Sequence, residues 1–319
     1  MRLAVRRTYF GDRVCLAGVT PGQLIDLHAA YTYWLEHEGA DHEDATRRAA
    51  HELPRNVPDL LFDDDTLTLP RKIEDWVRGR VDSGELETEC SMPDDPHRLA
   101  SPVGRPNVVW GMTGNYPREN EPATKSAPQK RPMTGFLKSP SAIAGPRDAV
   151  RYPAIAERVD PEIELAVVIG RRCHELADTE AMSAVAGYLV FCDTGSRDIS
   201  ALDNNRMDRA KGFDTFALVG PALVTKDEIA DPHDLAVRFW INGELTQDGT
   251  TAQMHHSIPE QLVWLTQSLT LRPGDVLSTG TPPGVRSIRP GDRIRGEVEG
   301  LGAIESDILA HPTPPLAIG

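Results

Sequence analysis

No apolar run in the 319 residues approaches the roughly 20 needed to cross a bilayer. The stretch Met1-Arg2-Leu3-Ala4-Val5-Arg6-Arg7 lacks the long apolar core of a secretory signal, so a cytoplasmic protein is expected. Cysteine is scarce: Cys15, Cys90, Cys173 and Cys192 stand apart without any Cys-x-x-Cys spacing, which fits reduced thiols and excludes a zinc ribbon or knuckle. Cys192, in an apolar run beside Asp193, reads as a buried, inert thiol. A basic excess is also missing. The formal net charge is −14 and no group of Lys and Arg stands clear of neighbouring acids, which argues against nucleic acid and anionic membrane surfaces as partners. The ten histidines form no His-x-His or His-Glu-x-x-His pattern. His255 and His256 are adjacent, and on a strand adjacent side chains face opposite ways, which makes them poor joint ligands.

What the chain does have is turn-formers. Glycine and proline number 26 each, favouring short strands and turns over a helical bundle, so the expected class is α+β and mainly β. Residues 1–100 read as a separate small α+β module: a strand pair over residues 2–18, then a helix from Pro21 that places Leu24, Leu27, Tyr31, Trp34 and Leu35 on one face. A charged helix or loop follows over 36–52. The main domain is expected over 101–311, with a Pro-rich tail at 312–319. Within it, residues 113–133 are polar and carry four prolines, as a lid or binding loop would. Leu235–Ile241 leads into Asn242-Gly243, the strongest short hairpin signal, and Ile258–Leu271 shows helical spacing.

The most informative stretch is Pro161-Glu162-Ile163-Glu164-Leu165-Ala166-Val167-Val168-Ile169-Gly170. It is β-branched and too short for a helix, so a strand is expected, with Glu162 and Glu164 on one face about 7 Å apart at the backbone. Two carboxylates that close repel and desolvate badly unless a proton or cation relieves them. A hard divalent ion such as Mg²⁺ would do so; the other reading is a wet face on a half-buried strand. Asp193 closes a second apolar strand, as a ligand or as a helix cap. Arg197 is either a fork for a substrate carboxylate or a structural partner of Asp198, and Lys211 either a cation beside a developing oxyanion or a surface lysine. Gly280-Thr281-Pro282-Pro283-Gly284 offers backbone donors and a hydroxyl in a tight turn, without the Lys-Ser/Thr ending of a phosphate loop.

Taken in order, these pieces carry a resemblance. Glu-x-Glu in a Val-rich strand, an apolar strand closing on Asp-x-x-x-Arg-Asp, Lys-Gly-Phe-Asp-Thr-Phe, Asn-Gly-Glu-x-x-Gln-Asp-Gly, Pro-Gly-Asp-Val and Gly-Thr-Pro-x-Gly-Val together resemble the fumarylacetoacetate hydrolase family over about residues 105–310. Residues 1–100 resemble the variable N-terminal module of its longer members. The resemblance implies curled mixed sheets, a homodimer, and one Mg²⁺ or Mn²⁺ held by Glu162, Glu164 and Asp193. It implies further that Lys211, Arg197, Thr281 and Gly280 meet the substrate and that Lys138 lies near the site. The implied substrates are small 2-oxo acids or 1,3-dicarbonyls of acylpyruvate type, transformed through an enolate held by the metal as Lewis acid. C–C bond hydrolysis is the leading reaction; decarboxylation, dehydration and enol–keto isomerisation are alternatives, and a diverged member that binds metal or ligand without turnover is the rival from another class.

The chain departs from the family at the lid. Hydrolytic members carry Asn-Tyr-x-x-His-x-x-Glu, where His is the base that activates water. Here the run is Asn115-Tyr116-Pro117-Arg118-Glu119-Asn120-Glu121-Pro122, and no His lies between His97 and His174. Either Glu119 or Glu121 serves as base, which would need a pKa raised by burial, or the reaction requires no activated water. One of His255 and His256 is a further substitute for the base.

Overall fold

The computed structural model describes residues 1–61, 67–86, 90–119, 121 and 131–311. The tail at 312–319, and residues 120 and 122–130 of the expected lid, lie outside the described residues.

The Glu-x-Glu run forms strand Ile163–Ile169, every residue of which is buried. It lies between strands Val185–Asp193 and Val276–Ser278, antiparallel to both. A strand covered on both faces needs apolar residues at consecutive positions, which is why the run is continuous and not alternating. These strands are the middle of a mixed twelve-stranded sheet. On one side Val276–Ser278 pairs parallel with Val109–Thr113, which pairs with Thr134–Leu137. On the other, Val185–Asp193 pairs with Ala217–Thr225.

The first hundred residues extend that sheet. Strand Arg2–Arg6 pairs with Ala217–Thr225 through Arg2↔Val224 and Leu3↔Leu223, then with Arg13–Thr20, which pairs with Gln23–Asp26. Helices Leu27–His37, His42–Glu52 and Thr68–Ser83 contribute to the same core as the central strands. The expected helix from Pro21 begins later, at Leu27. Gly22 takes a positive φ of 69° to turn the chain back, Leu24 lies in a strand, and Asp26 caps the helix by accepting from the His28 and Ala29 amides. The helix expected over Ile258–Leu271 stops at Thr266, whose carbonyl accepts from the Glu175 amide. A donor from elsewhere in the chain thus takes the place of the next helical turn.

A second sheet of five strands runs Glu244–Thr250, Ala236–Ile241, Arg293–Val298, Gly302–Ala310, Val150–Tyr152. Its first hairpin turns at Asn242 and Gly243, with φ of 52° and 83°, the left-handed pair that a type I′ turn demands. The sheets meet closely at Gly296, where a Cβ would lie 2.3 Å from Ile163 Cδ1. That contact fixes the strand carrying Glu164, with Glu162 just before it, against the second sheet. Among the described residues no helix is long and apolar enough to cross a membrane.

Candidate active site

Glu162, Glu164 and Asp193 converge, each offering a carboxylate oxygen within 4.8 Å of the others'. Glu162 and Glu164 face the same way because they are two apart on an extended chain, and Asp193 joins them because it ends the neighbouring antiparallel strand, where Ile163 is paired with Cys192. The readings of the acid pair as a wet strand face and of Asp193 as a helix cap fail on placement: Glu164 and Asp193 are each 1% exposed, and the nearby helix Arg197–Leu202 begins after Ser196, with no side-chain cap.

The cations are arranged around them unequally. Lys211, buried, donates from Nζ to Asp193 Oδ2 at 2.6 Å and to the Asp193 carbonyl at 3.2 Å, and also reaches Glu162. It lies along Gly195, where a Cβ would come within 2.8 Å of its Cδ and Cε. Lys138, also buried, donates to Asp193 Oδ1 at 2.7 Å and to the Thr194 carbonyl at 3.1 Å, behind the acids and away from the cavity lining. Arg197 pairs with Glu162 and, through Nε, with Asp160 Oδ2 at 3.0 Å, while Asp198 accepts from Ser196 and from the Glu157 and Arg158 amides. Arg197 is therefore not the partner of Asp198.

Among the described residues, Glu164 alone of the three acids has no ion pair. Its Oε2 accepts from the Ser278 hydroxyl and, at 2.7 Å, from the Gly280 amide. Burial, then the charges of Asp193 and Glu162, push its carboxyl up to about 8. Burial pushes Asp193 the same way, but Lys138 and Lys211 outweigh it and hold that carboxyl below its usual range. Burial opposes the charge of Lys211, yet Asp193, Glu162 and Glu164 raise its pKa, so it stays an ammonium. Lys138 is lowered, burial prevailing over Asp193. Three carboxylates of which one must keep a proton are an acidic set short of positive charge, and all-oxygen donors suit a hard divalent cation. The residues present therefore fit such an ion, and its entry would expel the proton on Glu164. Affinity for Mn²⁺ or Mg²⁺ is expected to rise with pH and to level off above about 8, as the carboxyl loses its proton. Calorimetric titration in buffers of different ionisation enthalpy should find close to one proton released per ion at pH 7. Release of none would remove Glu164 from the ligand set.

A cavity of about 470 Å³ opens over the acids, lined by Glu162, Glu164, Arg197, Lys211, Thr281 and the loop 112–119. Thr281 Oγ1 donates to the Ile163 carbonyl at 2.7 Å and accepts from Gln247 at 2.9 Å, and the Gly280 amide serves Glu164, so both fix the floor of the cavity. Glu119 lines the rim, its side chain more than half exposed and paired with Arg286 at 2.6 Å. Glu121 is paired with Arg131, and its hydrogen bond from the Arg118 amide, then Arg131, lower its pKa. His255 and His256 lie not on a strand but before helix Ile258–Thr266, where their amides donate to the Asn115 backbone carbonyl and Oδ1. His256 Nε2 is 2.6 Å from the Arg131 carbonyl, and neither imidazole lines the cavity. Asn115 and Arg131 are thereby both tied to the histidine pair.

Sequence reasoning missed Asp160, Ser278 and Gln247. Asp160 is 1% exposed and accepts from Arg158, Arg197 and Ser287, which orients the Arg197 guanidinium. Its signal was present, since an acid two residues before Glu162 continues the same alternation. Ser278 and Gln247 gave none, because their partners are 114 and 84 residues distant.

A profile described as fumarylacetoacetate (FAA) hydrolase C-terminal matches residues 108–309. Among curated proteins, the chain is 39% identical over 225 residues to a mitochondrial oxaloacetate tautomerase of Rattus norvegicus, covering 68% of this chain and 71% of that one. Among solved structures, it is similar to maleylpyruvate hydrolase from Sphingobium sp. SYK-6 in complex with manganese(II) and pyruvate, with a TM-score of 0.73 and 28% identity over 98% of this chain and 100% of that one. A 5-carboxymethyl-2-hydroxymuconate delta-isomerase from Mycobacterium smegmatis is similar with a TM-score of 0.70 and 27% identity, covering 97% and 100%.

Proposed function

The chain belongs to the fumarylacetoacetate hydrolase family, and from that premise we propose that it is a divalent-metal-dependent enol–keto tautomerase of a small 2-oxo acid. Members similar to it include a hydrolase, an isomerase and a tautomerase acting on small acids, so membership alone leaves the reaction open. One observation favours tautomerisation. Among the described residues, the only carboxylate lining the cavity besides Glu162 and Glu164 is Glu119, and it stands at the rim in an exposed ion pair.

Hydrolysis of a C–C bond consumes water, and water needs a base held near it in the closed site. Tautomerisation consumes none. The proton lost from the carbon beside the oxo group, made acidic by polarisation of that group, passes to solvent water entering through the exposed mouth, an equal proton is taken from solvent at the oxo oxygen, and no bond between heavy atoms changes. Glu162, Glu164 and Asp193 would hold the cation, which when bound supplies Lewis-acid polarisation of the 2-oxo group. Lys211 keeps its proton among these acids and offers it as a hydrogen bond to the oxygen on which charge develops. Arg197, oriented by Asp160, gives Nε and Nη2 to acids and, among the described residues, leaves Nη1 for the 1-carboxylate.

The test follows oxaloacetate enol–keto equilibration by ultraviolet absorbance, and pyruvate release from acetylpyruvate, for the wild type and Glu119→Gln. The variant is expected to tautomerise within about threefold of the wild type, against the roughly 10²–10⁴-fold that a general base contributes. Neither protein should release pyruvate. The hydrolase reading is favoured by the full-length likeness to maleylpyruvate hydrolase. Pyruvate release by the wild type that is faster than tautomerisation would establish it in place of ours, and its loss in Glu119→Gln would make Glu119 the base.

A further inference from the structure

One side chain of the second sheet reaches the floor of the cavity from behind. The main-chain ladder between strands Ile163–Ile169 and Val276–Ser278 runs from Val168↔Val276 to Ala166↔Ser278, and its last bond is from the Thr279 amide to the Leu165 carbonyl, at 3.1 Å. Beyond it the chain turns away at Gly280, with φ of 95°, and side chains continue the ladder at Ile163, the residue between the two glutamates. The Ile163 amide donates to Gln247 Oε1 at 3.3 Å, Gln247 Nε2 donates to Thr281 Oγ1 at 2.9 Å, and Thr281 Oγ1 donates to the Ile163 carbonyl at 2.7 Å. These three bonds close a ring.

The ring has one orientation. Turning the Gln247 amide over would set its nitrogen against the Ile163 N–H and its oxygen against the Pro282 carbonyl, which accepts from Nε2 at 2.6 Å. Because Nε2 donates to Thr281, the Thr281 proton is directed onto Ile163. Gln247 is 0% exposed, and its strand, Glu244–Thr250, meets the same turn at two more points: a Cβ on Gly249 would lie 2.5 Å from Pro282 Cβ, and one on Gly284 would run into the Thr246 carbonyl. The turn depends on this support, since Pro282 and Pro283 have no N–H with which to hold it. The acids have other anchors: the Asp193 amide donates to the Glu162 carbonyl at 2.7 Å, and the Ser278 hydroxyl serves Glu164.

Resting on the reading of the floor as a 2-oxo acid site, we infer that Gln247 is a positioning residue for the bound ligand, acting from the second sheet through Thr281. Thr281 lines the cavity and Gln247 does not, so Gln247 reaches a ligand only by fixing where the Thr281 hydroxyl stands and where its proton points. A hydroxyl held in place before the ligand arrives loses little further freedom when it binds, which is the gain of preorganisation. An apolar side chain of similar length would free that hydroxyl and leave the Ile163 amide and the Pro282 carbonyl without this partner.

The test measures binding, so that it stays readable if the tautomerase reading fails. Mn²⁺-loaded wild type, Gln247→Met, Thr281→Ala and the double variant are titrated calorimetrically with pyruvate, and hydrogen exchange over residues 279–285 is followed in the same proteins without ligand. Gln247→Met is expected to weaken pyruvate binding about tenfold, as the loss of one or two net hydrogen bonds would. In the Thr281→Ala background the same change should cost less than about twofold, because residues that act through one another are not additive. Mn²⁺ affinity should stay within about threefold, since the acids keep their other anchors, while exchange at the turn quickens. A residue that only supports the fold would lower stability in both backgrounds and leave the pyruvate affinity of the folded protein unchanged. Unchanged pyruvate binding in Gln247→Met, or an equal loss in both backgrounds, would overturn the inference. If Gln247→Met does not fold, Gly249→Ala, which presses on Pro282 from the same strand, should reproduce the loss that depends on Thr281; its failure to do so would equally overturn the inference. A wild type that does not bind pyruvate would reject the 2-oxo acid floor, and exchange would then decide: a quickened turn in Gln247→Met upholds Gln247 as the residue that positions Thr281, and an unchanged one rejects it.

Discussion

Glu164→Gln is expected to reduce metal-dependent turnover by at least about 10³-fold, the several kcal/mol a Lewis-acid cation contributes, while the metal-free protein becomes more stable. Gln keeps an oxygen for the Ser278 hydroxyl and the Gly280 amide but offers no charge to an ion. The stability gain has a definite pH dependence. The folded carboxyl is raised to about 8 by burial and by Asp193 and Glu162, so between its ordinary value and 8 the native state binds more protons than the unfolded chain. Wild-type stability from this group is therefore fully present at low pH and falls as pH rises through that window, by roughly 3 kcal/mol by pH 7. The metal-free variant should match the wild type near pH 4 and exceed it at pH 8 in urea unfolding. Added Mn²⁺ should stabilise only the wild type, by about 2.7 kcal/mol at a hundred times its dissociation constant. A variant that still gains stability from Mn²⁺ would place the ion elsewhere.

That contrast shows what the sequence made legible. The three acids could be found because each sits where strand geometry alone predicts its direction: Glu162 and Glu164 by alternation, Asp193 by closing the neighbouring apolar strand. The sheet order could not be read, because strand Ile163–Ile169 pairs with residues more than a hundred positions away and nothing local encodes that choice. The same limit hid Ser278 and Gln247. Local competition explains the misplaced helix start, since the apolar spacing of Leu24, Leu27 and Tyr31 is equally compatible with a strand that ends at a capping aspartate. At the lid the sequence gives a departure from the family pattern, and the geometry adds that Glu119, in the place of the missing imidazole, faces Arg286 in solvent. The sheltered setting expected of a base is not what this position supplies.

Lys211→Met separates two roles that coincide in the native site. The ammonium balances Glu162 and Asp193 before any ion enters, so its removal leaves a pair of buried acids with Lys138 and Arg197 alone. Breaking such a buried pair from one side costs about 3–5 kcal/mol, and the metal-free variant should unfold at correspondingly lower urea. The same ammonium repels an incoming cation. A unit charge at about 4 Å interacts with another by roughly 4 kcal/mol per charge at an effective dielectric of 20, so the variant should bind Mn²⁺ at least about tenfold more tightly and recover most of its lost stability when loaded. Turnover should not recover. A lost preorganised donor costs about 10²–10³-fold in rate, and the loaded variant, stable and saturated, should still show that deficit. If Mn²⁺ restored both stability and rate, Lys211 would be only a counter-charge to the acids. If affinity failed to rise, the ammonium and the ion would not share the same carboxylates, and the acids at 162, 164 and 193 would lose their place as the common ligand set.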